Sequence, residues 1–227
     1  MYTTLLFDID DTLLDFQDAE EQALNKLFVE MGVPLNETIK DAYKEMNRGF
    51  WRQHEQGTLS RQELLNTRFS LFFDTVGKKV DGPETEERYR YYLNQGHKLI
   101  KDGLAVVKRL SQTKELYVVT NGVSETQHQR LQQSGLAPYF QKFFISEEMG
   151  VHKPMKEYFD IVFDEIPHVD KKQTVIIGDS LTSDIKGGQT AGIDTVWMNP
   201  QNKPATEIQP TYQIRQLTDL YKILQEF

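Results

Sequence analysis

The 227-residue chain contains no cysteine, which excludes a disulfide framework and any thiolate-bound zinc. It also has no apolar run near the ~18 residues a membrane-spanning helix needs. Positive charge is in deficit: 26 Lys and Arg stand against 34 Asp and Glu, a formal net charge of −8. An acidic chain lacks the basic face that polymeric nucleic acid requires. Histidines are few, and His54, His97, His128 and His168 show no ligand spacing. The opening Met1-Tyr2-Thr3-Thr4-Leu5-Leu6-Phe7-Asp8 has no basic segment and meets a carboxylate at once, so no signal peptide is expected. These absences lead to the expectation of a soluble, cytoplasmic globular protein with no membrane or nucleic-acid partner. A small anionic substrate is compatible with the net charge if one or two cations are focused at a site.

Short apolar, β-branched or aromatic runs lie at Thr4–Phe7, Leu116–Val119, Thr174–Ile177 and Thr195–Met198, with a weaker one at Phe143–Ile145. Each is followed by Gly, Asn, Asp or Pro punctuation, which predicts buried strands. Helical patterns lie between the later runs. Ser124-Glu125-Thr126-Gln127 has the form of a capping box, with Gly135 as a stop, and Leu181–Ala191 ends at Gly192. Strands alternating with helices predict a parallel sheet wound with crossover helices, covering residues 1–14 and 100–227.

Residues 15–99 carry no strand pattern. Leu24, Leu27, Phe28 and Met31 form one helical stripe, and Ile39, Tyr43, Met46 and Phe50 form a second. Ser60-Arg61-Gln62-Glu63 is a further capping box, and Pro83 suits a first helical position. The segment is expected to be a four-helix insert emerging directly after the first strand. Within it, Trp51 either stacks on a nucleobase or packs against another helix, and the same choice applies to Tyr89, Tyr91 and Tyr92.

In an open parallel sheet, ligands bind at the carboxyl ends of the strands. The first strand ends in Asp8-Ile9-Asp10-Asp11-Thr12, a second in Thr120-Asn121-Gly122, and a later one in Gly178-Asp179-Ser180 with Asp184 five residues past Asp179. Lys153-Pro154 lies between, just before a predicted helix. Strict alternation points Asp8 and Asp10 to opposite faces. If the chain turns at the strand end, however, the Asp8 carboxylate and the Asp10 carbonyl can share one ion with Asp179. Carboxylates, a carbonyl and water suit Mg²⁺. Asp8 can then attack phosphorus while Asp10 protonates the leaving alkoxide and later activates water. Thr120, the backbone amide of Asn121 and the Lys153 ammonium can hold phosphoryl oxygens. Asp11 is expected to cap a helix or face solvent.

Asp8-x-Asp10-x-Thr12, Thr120-Asn121, Lys153-Pro154 and Gly178-Asp179-Ser180-x₃-Asp184 resemble, in order, the four motifs of the haloacid dehalogenase-like (HAD) superfamily. The resemblance covers the whole chain and implies an α/β fold, a Rossmann-like doubly wound parallel sheet with an inserted all-helical C1-type cap. It implies that Asp8 is the nucleophile, Asp10 the general acid/base, and Thr120 and Lys153 the phosphate-binding pair. Asp8, Asp179 and the Asp10 carbonyl would form the Mg²⁺ site, with Asp184 binding directly or through water. Dehalogenases of the superfamily do not need the second aspartate, so Asp10 favours phosphate chemistry. The motif around Asp8 and the size of the insert are similar to bacterial pyrimidine 5′-nucleotidases. Three other readings stand beside this one: hydrolysis of a sugar phosphate, transfer to a hydroxyl, as in a sugar-phosphate mutase, and a phospho-acceptor signalling module.

Overall fold

A computed structural model describes residues 1–225. The chain divides into two compact units, Met1–Phe16 with His97–Phe227, and Gln17–Gly96. No helix among the described residues is long and apolar enough to cross a membrane.

In chain order the first unit holds β1 (Thr4–Phe7) and the second the helices α1 (Phe16–Glu30, whose first residue belongs to the first unit), α2 (Glu37–Glu55), α3 (Arg61–Thr75) and α4 (Gly82–Leu93). The first unit then resumes with α5 (Gly103–Leu110), β2 (Glu115–Thr120), α6 (Ser124–Gln133), β3 (Lys142–Ile145), α7 (Ser146–Met149) and α8 (Lys156–Glu165). It continues with β4 (Thr174–Gly178), α9 (Lys186–Ala191), β5 (Asp194–Met198), β6 (Tyr212–Ile214) and α10 (Leu220–Leu224).

Among the described residues the strands form one six-stranded sheet in the order β3-β2-β1-β4-β5-β6, parallel throughout. Both faces are covered, so the strands are apolar on both sides, as parallel strands must be. Leu5, Phe7, Leu116, Val118, Val175 and Ile177 pack on one face with Val106, Val107 and Leu110 of α5. Leu6, Tyr117, Val119 and Ile176 pack on the other with Tyr158, Phe159 and Val162 of α8. Each such side chain stabilises the fold by about 1.5–3 kcal/mol when fully buried. The chain reverses after β1 because Ile9 O accepts from Leu13 N at 2.8 Å and Leu14 N at 2.9 Å.

Two helix starts differ from the sequence pattern. Ser124 is the first residue of α6 and does not cap it: Val123 holds the cap position, and Ser124 N donates to Glu147 Oε2 of α7 at 2.7 Å. A carboxylate from another element satisfies the helix's orphan donor, an outcome that local spacing does not encode. The helix expected over Leu181–Ala191 begins as a π-helical turn, Leu181–Ile185, because Ser180 O accepts from both Asp184 N and Ile185 N. Edge strand β6 has two exposed residues of its three and lacks an apolar pattern. Pairing with β5 creates it.

In the helical unit, Asn36, Ser60 and Asp81 cap α2, α3 and α4 by accepting from Ile39 N, Glu63 N and Glu84 N. Pro83 is the second helical residue, after Gly82. Phe28 stacks on Phe73 at 4.8 Å and Tyr43 on Phe69 at 5.3 Å. The buried face of α2 is rotated from the apolar stripe: Lys40, Tyr43, Asn47 and His54 are buried, while Ile39, Met46 and Phe50 are only half-buried. The cause is a polar seam. Arg68 grips Glu86 bidentately at 2.7 and 2.8 Å and Asn47 Oδ1 at 3.0 Å, and Asn47 donates to Glu20 at 3.1 Å. Trp51 is half-buried and edge-on to His54 at 5.8 Å. Tyr89 is buried beside Arg68, Tyr92 donates to Glu30 at 2.5 Å, and Tyr91 is exposed.

Candidate active site

β1 is the central strand and delivers Asp8 at its carboxyl end, where Asp8 N still pairs with Ile177 O at 2.9 Å. Both neighbouring strands contribute at the same end, β2 through Thr120-Asn121-Gly122 and β4 through Gly178 and Asp179. One carboxylate oxygen from each of Asp8, Asp179 and Asp184 lies within 4.8 Å of the others.

Lys153 enters this acidic group from the loop before α8. Its ammonium donates to Asp8 Oδ1 at 2.6 Å, Asp184 Oδ1 at 2.6 Å and Val119 O at 2.7 Å, and the residue is buried. Asn121 fixes the lysine's backbone in a double bond, its amide donating to Lys153 O at 2.9 Å and its carbonyl accepting from Lys153 N at 2.9 Å. The Asn121 side chain thus orients Lys153.

Burial pushes the Asp8 carboxyl up to about 8, with Lys153 opposing the rise and Asp184 and Asp10 adding to it. Asp179 is raised well above the carboxylate range by loss of solvation and by the charges of Asp8, Asp184 and Asp11. Burial alone would discharge Lys153, but Asp184 and Asp8 outweigh it and hold the ammonium firmly charged. Three carboxylates against one ammonium leave net negative charge that a divalent cation would complement. An all-oxygen donor set fits Mg²⁺. Both Asp184 oxygens are already engaged, Oδ1 by Lys153 and Oδ2 by Ser180 N at 3.1 Å. Gly178 makes that approach possible, since a Cβ there would lie 2.2 Å from the Asp184 carboxylate. Trp197 steadies the same turn by donating from Nε1 to Asp179 O at 2.7 Å.

The Asp10 side chain stands apart from this group. Oδ1 accepts from Arg130 Nη1 at 2.5 Å and Oδ2 from Gln127 Nε2 at 2.8 Å. Gln127 also donates to Thr120 Oγ1 at 2.9 Å. Asp11 has φ 54°, and its carboxylate accepts from Phe16 N at 3.0 Å, capping α1. Ser180 caps the π-helical turn by accepting from Ser183 N. Gln127, Arg130 and Trp197 escape a motif reading. Their one sequence signal is that Gln127 and Arg130 share a helical face immediately after Thr120-Asn121-Gly122.

The doubly wound core, the carboxylate cluster at its central strand and the helical insert after β1 define a hydrolase of the haloacid dehalogenase type. Residues 5–198 match the family model for haloacid dehalogenase-like hydrolases, and the chain belongs to that family. It is 53% identical to the HAD-hydrolase YfnB of Bacillus subtilis (strain 168), over 98% of this chain and 95% of that protein. It is 42% identical to the pyrimidine 5′-nucleotidase PynA of Streptococcus pneumoniae, over 98% of this chain and 95% of that one. A crystal structure of B. subtilis YfnB bound to magnesium superposes with a TM-score of 0.96 at 52% identity, each chain covered to 99%.

Proposed function

We infer that this hydrolase is a Mg²⁺-dependent phosphomonoesterase that works through an aspartyl-phosphate on Asp8, with a nucleoside 5′-monophosphate as substrate. The observation that carries the reading is the Asp8 carboxylate, fixed 2.6 Å from a buried ammonium and grouped with Asp179 and Asp184. Magnesium supports it through the donor set and through the magnesium-bound YfnB structure. The nucleotide class is supported by the full-length likeness to PynA.

Asp8 attacks phosphorus as the bond to the ester oxygen breaks, and that oxygen leaves with a proton from Asp10. Water then gives a proton back to Asp10 and displaces Asp8 from phosphorus, releasing inorganic phosphate and restoring both carboxyl groups. Thr120 Oγ1 accepts from Gln127 Nε2 and from Gly122 N. A hydroxyl has one donor and two acceptor sites, so the Thr120 proton is directed to a phosphoryl oxygen, joined by the Asn121 amide and Lys153. Mg²⁺ held by Asp8, Asp179, Asp184 and the Asp10 carbonyl would neutralise the repulsion between the two anions.

Asp8→Asn is expected to abolish turnover of p-nitrophenyl phosphate with Mg²⁺ while leaving the fold intact; wild-type activity in that variant would refute the mechanism. Phosphate release from a panel of nucleotides and sugar phosphates, with Mg²⁺ and with chelator, tests the substrate. Preference for pyrimidine monophosphates supports the assignment, and preference for sugar phosphates overturns it. Isomerised hexose phosphate would indicate a mutase, and a phosphoenzyme lasting minutes would indicate a signalling module.

A further inference from the structure

The α6 face beneath Asp10 is polar and sealed from solvent: Gln127 and Arg130 are buried at 1% and 0% exposure. A buried guanidinium and amide are costly unless hydrogen bonds offset the lost solvation, and those made by Arg130 Nη1 and Gln127 Nε2 run to the reacting end of the sheet. Arg130 takes Asp10 Oδ1 and Gln127 takes Oδ2, and Arg130 Nη1 also donates to Gln127 Oε1 at 3.3 Å. Each Asp10 oxygen thereby spends one lone pair on α6 and keeps another for a proton, and the Asp10 side chain stays 29% exposed. Gln127 reaches both groups only because residue 122 has no side chain. A Cβ on Gly122 would lie 2.2 Å from Gln127 Nε2 and 2.6 Å from its Cδ.

We propose that Gln127 and Arg130 are positioning residues for the acid/base Asp10, and that Gln127 sets Asp10 and Thr120 as one unit. The proposal rests on the phosphomonoesterase reading above. It assigns a reason to each residue of the Thr120-Asn121-Gly122 turn. Thr120 shares the Gln127 amide with Asp10, Asn121 holds the backbone of Lys153, and Gly122 leaves the passage through which Gln127 passes.

The test compares two esters of similar shape whose leaving groups differ in their need for a proton. Phenolate requires one far more than p-nitrophenolate does. With Mg²⁺ present, Gln127→Leu is expected to lower kcat/KM for phenyl phosphate by about 100-fold and for p-nitrophenyl phosphate by about tenfold or less. Gly122→Ala, which displaces the amide without deleting it, should produce the same skew. Arg130→Lys keeps a donor for Oδ1 and should recover part of what Arg130→Met loses. If Arg130→Met fails to fold, Gln127→Leu and Gly122→Ala decide the matter. Equal losses on both esters would show that the pair merely stabilises the fold, and no loss on either would overturn the proposal as well. Wild-type protein inert towards both esters would instead refute the phosphomonoesterase reading, so the two failures are distinct.

Discussion

Replacing Lys153 by Met retains most of the side-chain volume but leaves Asp8 and Asp184 facing each other without the ammonium that now sits 2.6 Å from each. Lys153 and Asp184 are each 1% exposed and Asp8 is 9% exposed, measured on the side chains, so solvent cannot take over the lost charge. Removing one partner of a buried ion pair costs about 3–5 kcal/mol. In a chain of this size each kcal/mol moves the melting temperature by about 2–4 °C, which gives a drop of about 6–20 °C. The loss must depend on pH. Asp8 already titrates at about 8 with Lys153 pulling it down, and without that ammonium it rises further. At acidic pH the carboxyl takes up a proton and the penalty shrinks; in alkaline buffer the penalty is present in full. Mg²⁺ supplies compensating positive charge and should recover part of the deficit. Thermal melts of both proteins at pH about 6 and about 9, in chelator and in Mg²⁺, measure all of this. A variant that melts with the wild type in alkaline chelator would refute the buried triad of Asp8, Lys153 and Asp184.

The raised carboxyls of Asp8 and Asp179 mean that the metal-free folded state holds protons the unfolded chain releases. Chelated protein should therefore be most stable in acid and lose stability as pH rises through about 8, while Mg²⁺ affinity measured by calorimetry climbs over the same window. Gly178→Ala places a Cβ 2.2 Å from the Asp184 carboxylate. It should cost about 1–3 kcal/mol and weaken the Mg²⁺ titration read from Trp197, whose indole is tied to Asp179 O at 2.7 Å; an unchanged titration would argue against this account of the turn. In the helical unit, Glu86→Ala strands Arg68, whose side chain is 5% exposed, and should cost about 3–5 kcal/mol. Arg68→Met with Glu86→Leu should recover most of that loss in hydrogen exchange of α3 and α4.

Strand identity was legible wherever burial is two-sided. Thr4–Phe7 and Thr174–Gly178 pair with neighbours on both sides, and an apolar run bounded by Gly or Asp has few other uses. The helical insert was legible through its apolar repeats and through caps such as Ser60, which accept from the chain a few residues on. The sheet edge was not legible, because β6 exists only through its pairing with β5. The face of α2 was misjudged for a related reason. Hydrophobic periodicity assumes that burial follows apolarity, whereas Asn47 is buried to meet Arg68 and Glu20.

The sequence alone determined which chemistry the site can support, since residue type and order at strand ends decide whether oxygen donors, an ammonium and a hydroxyl are available. It placed Asp8, Lys153, Asp179 and Asp184 at loops that a parallel sheet brings together. Tertiary structure decided how those groups are divided. Asp8, Asp179 and Asp184 crowd together, and Lys153 pairs with Asp8 and Asp184, while Asp10 turns to Gln127 and Arg130, more than a hundred residues away in the chain. Spacing cannot encode such partners, because a buried polar group is satisfied by whatever donor the packing delivers, from any distance along the chain.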